Sequence, residues 1–82
     1  MRAEESRITL KHLIHREPFE PFLINLENGD GYLIEHPENV AFDPNENGRT
    51  RFSVVTSRLL CYSTFKAVSS IVHQDTGAAV GV

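Results

Sequence analysis

The chain has 82 residues, of which 40% are hydrophobic and 23% charged, and its formal net charge is -3 at pH 7. This composition predicts one small globular domain and argues against wholesale disorder. The acidic balance argues against a non-specific nucleic-acid binder, because such proteins usually carry a basic excess. A single cysteine, Cys61, rules out an internal disulfide and a zinc site built from several cysteines.

Neither membrane insertion nor secretion is expected. No apolar run reaches the roughly 18 residues of a membrane-spanning helix. The first residues, MRAEESRITLKHL, include acidic side chains and lack the apolar stretch of a secretory signal. We therefore expect a cytoplasmic protein with no membrane partner.

A short helix is predicted ahead of Pro18. Its apolar residues recur at i, i+3 and i+4 and therefore share one helical face: Leu10, Leu13 and Ile14. Ser6 or Thr9 is expected to cap its first turn. Pro18 ends it, because the residue before a proline avoids the helical region. A helix this short must pack against another element to be stable.

The strongest local signal is a β-hairpin. Phe22–Leu26 and Tyr32–Ile34 are apolar runs on either side of Asn28-Gly29-Asp30-Gly31. Asn and Gly tolerate the positive φ that tight hairpin turns require. The pattern predicts strands over about 22–28 and 31–36, with Phe22, Ile24 and Leu26 on one face.

Further short strands follow the hairpin. They are predicted in four apolar segments: Val40–Phe42, Arg51–Val55, Leu59–Tyr62 and Ser69–His73. His36-Pro37 and the segment 63–68 are expected to bend the chain, and 43–48 to form a loop. The ordered core should span about 6–73, with a flexible tail over 74–82.

One helix followed by five or six short strands predicts a single mainly β domain. The expected form is a small, strongly bent antiparallel barrel, of Sm-like or SH3-like type, with one N-terminal α-helix.

Two segments resemble the Sm-like family, which includes the LSm proteins and the bacterial RNA chaperone Hfq. Ile24–Gly29 resembles the strand and turn of the first Sm motif, and Phe65–Val72 resembles the aromatic-Lys run that leads into the last strand. The chain departs from the family after the second strand, where LSm proteins carry an Asp-x-x-x-Asn signature that lines the uridine site and this chain has His36–Val40 instead. The Arg-Gly of the second Sm motif is also absent. The resemblance covers about 8–73 and implies a ring-forming homo-oligomer that binds single-stranded RNA. HREPFEPF with His36-Pro37-Glu38 also resembles a group of short bacterial proteins of unassigned function.

Two groups of residues are candidates for RNA binding. A base is expected to stack on Phe65 while the Lys66 ammonium meets a phosphate. In the alternative, Phe65 is a core residue and Lys66 a solvated turn residue. The second group is the densest basic cluster, which a ring would repeat as an annulus: Lys11, His12, His15 and Arg16. Its alternative is a solvated helix face whose cations match the helix dipole.

No catalytic or metal site is predicted. His12 and His15 share a helix face but lack further ligands at a suitable spacing. The carboxylates near turns form no specified acid–base pair, and no serine lies in a nucleophile motif. Cys61, in an apolar strand, is expected to be a small hydrophobe. We therefore expect no enzyme, no cofactor and no small-molecule substrate.

Two hypotheses of function remain. In the first, edge strands of an open barrel pair with neighbouring copies in a ring that binds single-stranded RNA. The expected edges are the Val54-Val55 run and the strand from Leu59 to Tyr62. In the second, the chain is an SH3-like module that binds a protein through exposed aromatic residues, with three candidates: Phe52, Tyr62 or Tyr32.

Overall fold

The structure is a computed structural model that describes residues 1–44 and 50–73. Its elements follow in chain order: α1 (Ala3–Ile14), β1 (Phe22–Leu26), β2 (Gly31–Ile34), β3 (Val40–Phe42), β4 (Arg51–Val55), β5 (Leu60–Thr64) and β6 (Val68–His73). Two 3₁₀ turns are corner 1 (Pro37–Asn39) and corner 2 (Phe65–Ala67). Most of the predicted loop and all of the predicted tail lie outside the described residues.

Helix α1 begins earlier than predicted. It starts at Ala3, with Arg2 as the N-cap residue, so the ordered core also extends beyond its expected start at residue 6. Ser6 lies inside the helix, fully buried, and its hydroxyl donates to the Arg2 carbonyl at 3.1 Å. The Arg2 N–H donates to the Glu5 carboxylate at 3.4 Å. Serine therefore satisfies a backbone group within the first turn without capping the helix.

The hairpin between β1 and β2 is confirmed. The Gly29 N–H donates to the Leu26 carbonyl at 3.0 Å, and the Leu26 N–H donates to the Asp30 carbonyl at 2.8 Å. Gly29 has a φ of 95°, which a residue with a Cβ rarely adopts. Asn28 fixes the turn by accepting the Asp30 N–H at 2.9 Å. The turn is thus a three-residue loop whose left-handed position requires glycine.

The strands form two three-stranded antiparallel sheets. Sheet A has the order β2-β1-β6, and sheet B has the order β3-β4-β5. Corner 1 carries the chain from sheet A to sheet B, and corner 2 carries it back. The expected mainly β fold with one N-terminal helix is confirmed. Strand pairing within residues 1–44 and 50–73 does not close the two sheets into a barrel.

Hydrogen bonds hold both corners. At corner 1, the Asn39 side chain accepts the His36 N–H at 3.1 Å and donates to the Val55 carbonyl at 2.8 Å. Corner 1 is therefore attached to the end of β4. At corner 2, the Thr64 hydroxyl accepts the Ala67 N–H at 3.3 Å. Both bends occur where the sequence predicted them.

The core lies between the sheets and under α1. Its buried residues come from α1, from every strand except β5, and from corner 2: Leu10, Leu13, Phe22, Ile24, Leu26, Ile34, Val40, Phe52, Val54, Phe65 and Val68. Among the described residues, α1 packs mainly against corner 2 and β6. The helix thus covers the end of the core that corner 2 closes. No helix in residues 1–44 and 50–73 is long and apolar enough to cross a membrane.

Replacing Phe65 with alanine should destabilise the domain strongly. The Phe65 side chain is fully buried, so its loss leaves a cavity that costs about 3–5 kcal/mol. Lys66→Ala, at the exposed neighbouring position, should change the free energy of unfolding by less than about 0.5 kcal/mol. Urea denaturation of both variants measures the difference. Equal effects at the two positions would contradict this packing.

Candidate interaction surfaces

Phe65, the predicted stacking residue, is a core residue. Its ring stacks on Phe52 with centroids 5.1 Å apart and meets Phe42 edge-on at 5.6 Å. None of its surface is exposed. No face of the ring is therefore available to a base, and the structure corrects the stacking role assigned to Phe65.

The basic residues lie on two elements that touch. Lys66 is exposed on corner 2, which packs against α1. The Lys11 ammonium lies 5.7 Å from the centroid of the Phe42 ring, a cation–π contact. His12 is exposed. Arg16 is half-buried at the end of the helix, and its guanidinium lies 3.5 Å from the Glu20 carboxylate. The exposed basic residues therefore lie on neighbouring elements, α1 with its C-cap residue and corner 2, and they are Lys11, His12, His15 and Lys66. The charge of Arg16 is partly balanced by Glu20.

Strand β5 is an unpaired edge within the described part of the chain. The Phe65 N–H donates to the Thr50 carbonyl at 3.1 Å, and the Thr56 N–H donates to the Leu59 carbonyl at 2.8 Å. These two bonds fix the alternation of the antiparallel ladder. The backbone N–H and C=O groups of Leu60 and Tyr62 therefore point away from β4. The Val54-Val55 run, expected as an edge, lies in the central strand of sheet B instead.

Strand β6 is the corresponding outer strand of sheet A. The hairpin bond from Leu26 to Asp30 places the backbone groups of Leu23 and Asn25 toward β6. Leu23 pairs with Val72 and Asn25 with Ser70. By the same alternation, the backbone groups of Ile71 point to the free side of β6. Sheets A and B therefore each present one long edge strand.

An apolar patch covers the outer face of sheet A. Leu23 lies between Leu33 on β2 and Val72 on β6, in one row across the three strands. Leu33 and Val72 are about half exposed. With Pro21 they line a shallow depression of about 380 Å³.

A second depression, the Tyr62 groove, lies on the outer face of sheet B. Its floor is the row in which Ser53 pairs with Ala41 on one side and with Tyr62 on the other. Arg51 and Pro44 line one end, and the volume is about 230 Å³. The chain has five phenylalanines, two tyrosines and no tryptophan, all in described positions, and Tyr62 alone is exposed, at 73%. Of the three aromatics expected for a protein-binding module, Phe52 is buried and Tyr32 is half-buried.

Tyr32 joins the two sheets on their inner side. Its hydroxyl lies 2.9 Å from the Cys61 sulfur, so that β2 of sheet A contacts β5 of sheet B. This hydrogen bond raises the pKa of Tyr32 to about 12, with burial and nearby negative charge acting in the same direction. Cys61 is half-buried at this contact. The thiol therefore has a structural partner in the fold.

No group of three His, Cys, Asp or Glu side chains within residues 1–44 and 50–73 is arranged to hold a metal ion. His12 and His15 remain a pair without a third ligand there.

Sequence reasoning missed Arg51 and the groove beside it. Arg51, Ser53 and Val55 alternate with buried Phe52 and Val54, which predicts an outward-facing row on β4. That signal places Arg51 on the surface. The alternation does not reveal which residues of β3 and β5 lie beside Arg51, because the register between strands depends on residues that are distant in sequence.

Comparisons with protein-family models, with curated proteins and with solved structures find no match to this chain. The candidate surfaces are therefore interpreted from their own geometry.

The Tyr32–Cys61 contact should make stability depend on pH in the alkaline range. An unfolded tyrosine has a pKa of about 10. The folded chain holds the phenol proton more tightly, because the pKa of Tyr32 is raised to about 12. The stabilising contribution is thus complete below about pH 10 and is lost as the pH rises to about 12.

This pH dependence is tested by measuring the free energy of unfolding in urea from about pH 9 to about pH 12, at intervals of roughly one pH unit. Cys61→Ala should flatten the decrease, and Tyr32→Phe, which has no phenol proton, should also remove it. An identical decrease in all three proteins would show that the contact does not hold the proton.

Proposed function

We propose that this chain is the subunit of a homo-oligomer in which β5 of one copy pairs with β6 of the next. The observation that carries the proposal is the pair of free edges. β5 and β6 have five and six residues, whereas the other outer strands, β2 and β3, have four and three. Longer edges offer more backbone groups to a neighbouring strand.

The two edges do not satisfy each other within one molecule. Corner 2 sends β5 and β6 into different sheets. An edge of sheet B and an edge of sheet A are different surfaces, so their pairing is head-to-tail. Repetition of a head-to-tail contact closes a ring when the rotation permits. A ring of this kind is the Sm-like assembly that the sequence resemblance implies.

Exposed apolar side chains on β5 and β6 also support pairing between these two edges. Leu60 and Tyr62 on β5 are 58% and 73% exposed, and Val72 on β6 is 52% exposed. In a continuous sheet, outward-facing side chains of adjacent strands lie side by side. Both free edges therefore carry exposed apolar side chains. A subunit of only 82 residues buries a limited core by itself, and shared strands add to its stability.

Tyr62→Pro tests the edge with Tyr62→Ala as its matched control. Both variants remove the aromatic ring. Only proline also removes the N–H that points to the free edge, while the ladder with β4 stays intact. Light scattering should give an oligomer for the wild type and for Tyr62→Ala, and a mass near 9.2 kDa for Tyr62→Pro.

A monomeric wild type at about 100 μM, well above the range of micromolar interfaces, would refute the proposal. So would an oligomer of unchanged mass in Tyr62→Pro.

Single-stranded RNA binding by this assembly is a second proposal, favoured by one observation. Lys11 and Lys66 are exposed on α1 and corner 2, which pack together, and His12 and His15 add to the same helix. Repetition around a ring would gather these cations on one face despite the acidic total. Phe65 has no part in this proposal, since its ring is buried.

Oligonucleotide titration tests RNA binding with uridine-rich and adenine-rich strands at two salt concentrations. The double variant Lys11→Ala/Lys66→Ala should bind more weakly, and its salt slope should fall by about one for each phosphate that the missing lysines neutralised. Arg58→Ala, in the turn between β4 and β5, is the control and should bind like the wild type. Lack of binding at low salt would end the proposal, because electrostatic affinity is strongest there.

A further inference from the structure

We propose that the Tyr62 groove binds an extended, proline-containing peptide segment that carries an acidic residue. This binding site lies on the outer face of sheet B. Tyr62 belongs to the groove through its side chain and to the edge proposed for assembly through its backbone groups. The groove shares no lining residue with α1 or corner 2.

The shape of the groove fits an extended segment. Ala41 and Ser53 have small side chains and form its floor, while the Tyr62 ring stands at its side and Pro44 borders its end. A floor of small residues flanked by an aromatic ring leaves room for ligand side chains that lie across the strands. Most of the groove's surface is apolar, and only its end is charged.

Proline is the residue that such a groove favours. A proline-containing segment already populates the extended polyproline II conformation, so it loses little conformational entropy on binding. Its flat apolar ring packs against an exposed aromatic face, which is how proline-rich segments are recognised in aromatic-lined grooves. Tyr62 supplies this face, because it is the most exposed of the large hydrophobic side chains described.

The charge at the end of the groove selects an acidic residue. Arg51 is exposed there, and its guanidinium forms no ion pair with any residue in the described ranges. Among the residues that line the groove, Arg51 is the cation. An exposed guanidinium without an ion pair, beside an apolar groove, complements a carboxylate on the ligand.

The same features favour a peptide over RNA. Single strands of RNA are held by successive stacked bases and a continuous row of cations. The groove offers one exposed ring, and Asp43 lines it together with Arg51. A row of phosphates would meet the Asp43 carboxylate, whereas a peptide can place one acidic side chain at Arg51 alone.

Fluorescence anisotropy tests the site with labelled, amidated nine-residue peptides. Each has eight prolines and one central Glu, Gln or Lys. The full-length protein should bind the Glu peptide most tightly, by up to about fivefold over the Gln peptide, since an exposed ion pair contributes at most about 1 kcal/mol. The Lys peptide should bind most weakly.

Three variants test whether the peptides bind in the Tyr62 groove. Arg51→Gln should equalise the Glu and Gln peptides while both still bind. Tyr62→Ala should weaken both peptides at least about fivefold, the loss expected for an exposed aromatic contact. Arg58→Gln removes the same charge from the turn between β4 and β5 and should leave the preference for Glu unchanged. Circular dichroism of each variant verifies that it is folded.

The proposal is overturned if none of the three peptides shows saturable binding. It is also overturned if the preference for Glu persists in Arg51→Gln, or if oligouridine competes for the groove more strongly than the Glu peptide does. Light scattering on the same samples reports assembly separately. A monomer that binds the Glu peptide would refute the ring and retain the groove.

Discussion

The short 3₁₀ turn at corner 2 keeps β5 and β6 apart, and the proposed assembly depends on that separation. Strands that follow one another in a chain usually pair, yet corner 2 directs these two into different sheets. Phe65 fixes the corner to the core, because its ring is fully buried and contacts the rings of Phe52 and Phe42. β6 then begins at Val68, which is also buried, and pairs with β1 instead of β5.

Helix α1 and the Tyr32–Cys61 contact complete the same arrangement. The helix buries Leu10 and Leu13 against the core and packs on corner 2, so the turn is fixed from outside as well as from within. Tyr32 bridges the two sheets on their inner side through its hydrogen bond to Cys61. The sheets are thus fixed relative to one another while both long edges stay open. The outer face of sheet B remains free for the Tyr62 groove.

The sequence predicted the features that depend on local chemistry. The hairpin follows from Asn28 and Gly29, and the break after β2 follows from Pro37. The helix start was missed because its first turn is polar and Ser6 resembles a cap, although it lies within the helix. The burial of Phe65 depends on residues distant in sequence, so no local pattern distinguishes it from an exposed aromatic residue. The same holds for the edge at β5 and the groove beside Tyr62, which require the order and register of three strands.

Hydrogen exchange at the amides of β5 tests the central claim most directly. In an isolated subunit the Leu60 and Tyr62 amides point to the free edge, whereas the Cys61 and Ser63 amides face β4, so neighbouring residues serve as an internal reference. If β5 pairs with another copy, all four amides should be protected at high protein concentration, and dilution should remove the protection of Leu60 and Tyr62 alone. Rapid exchange at Leu60 and Tyr62 at every concentration would contradict the account.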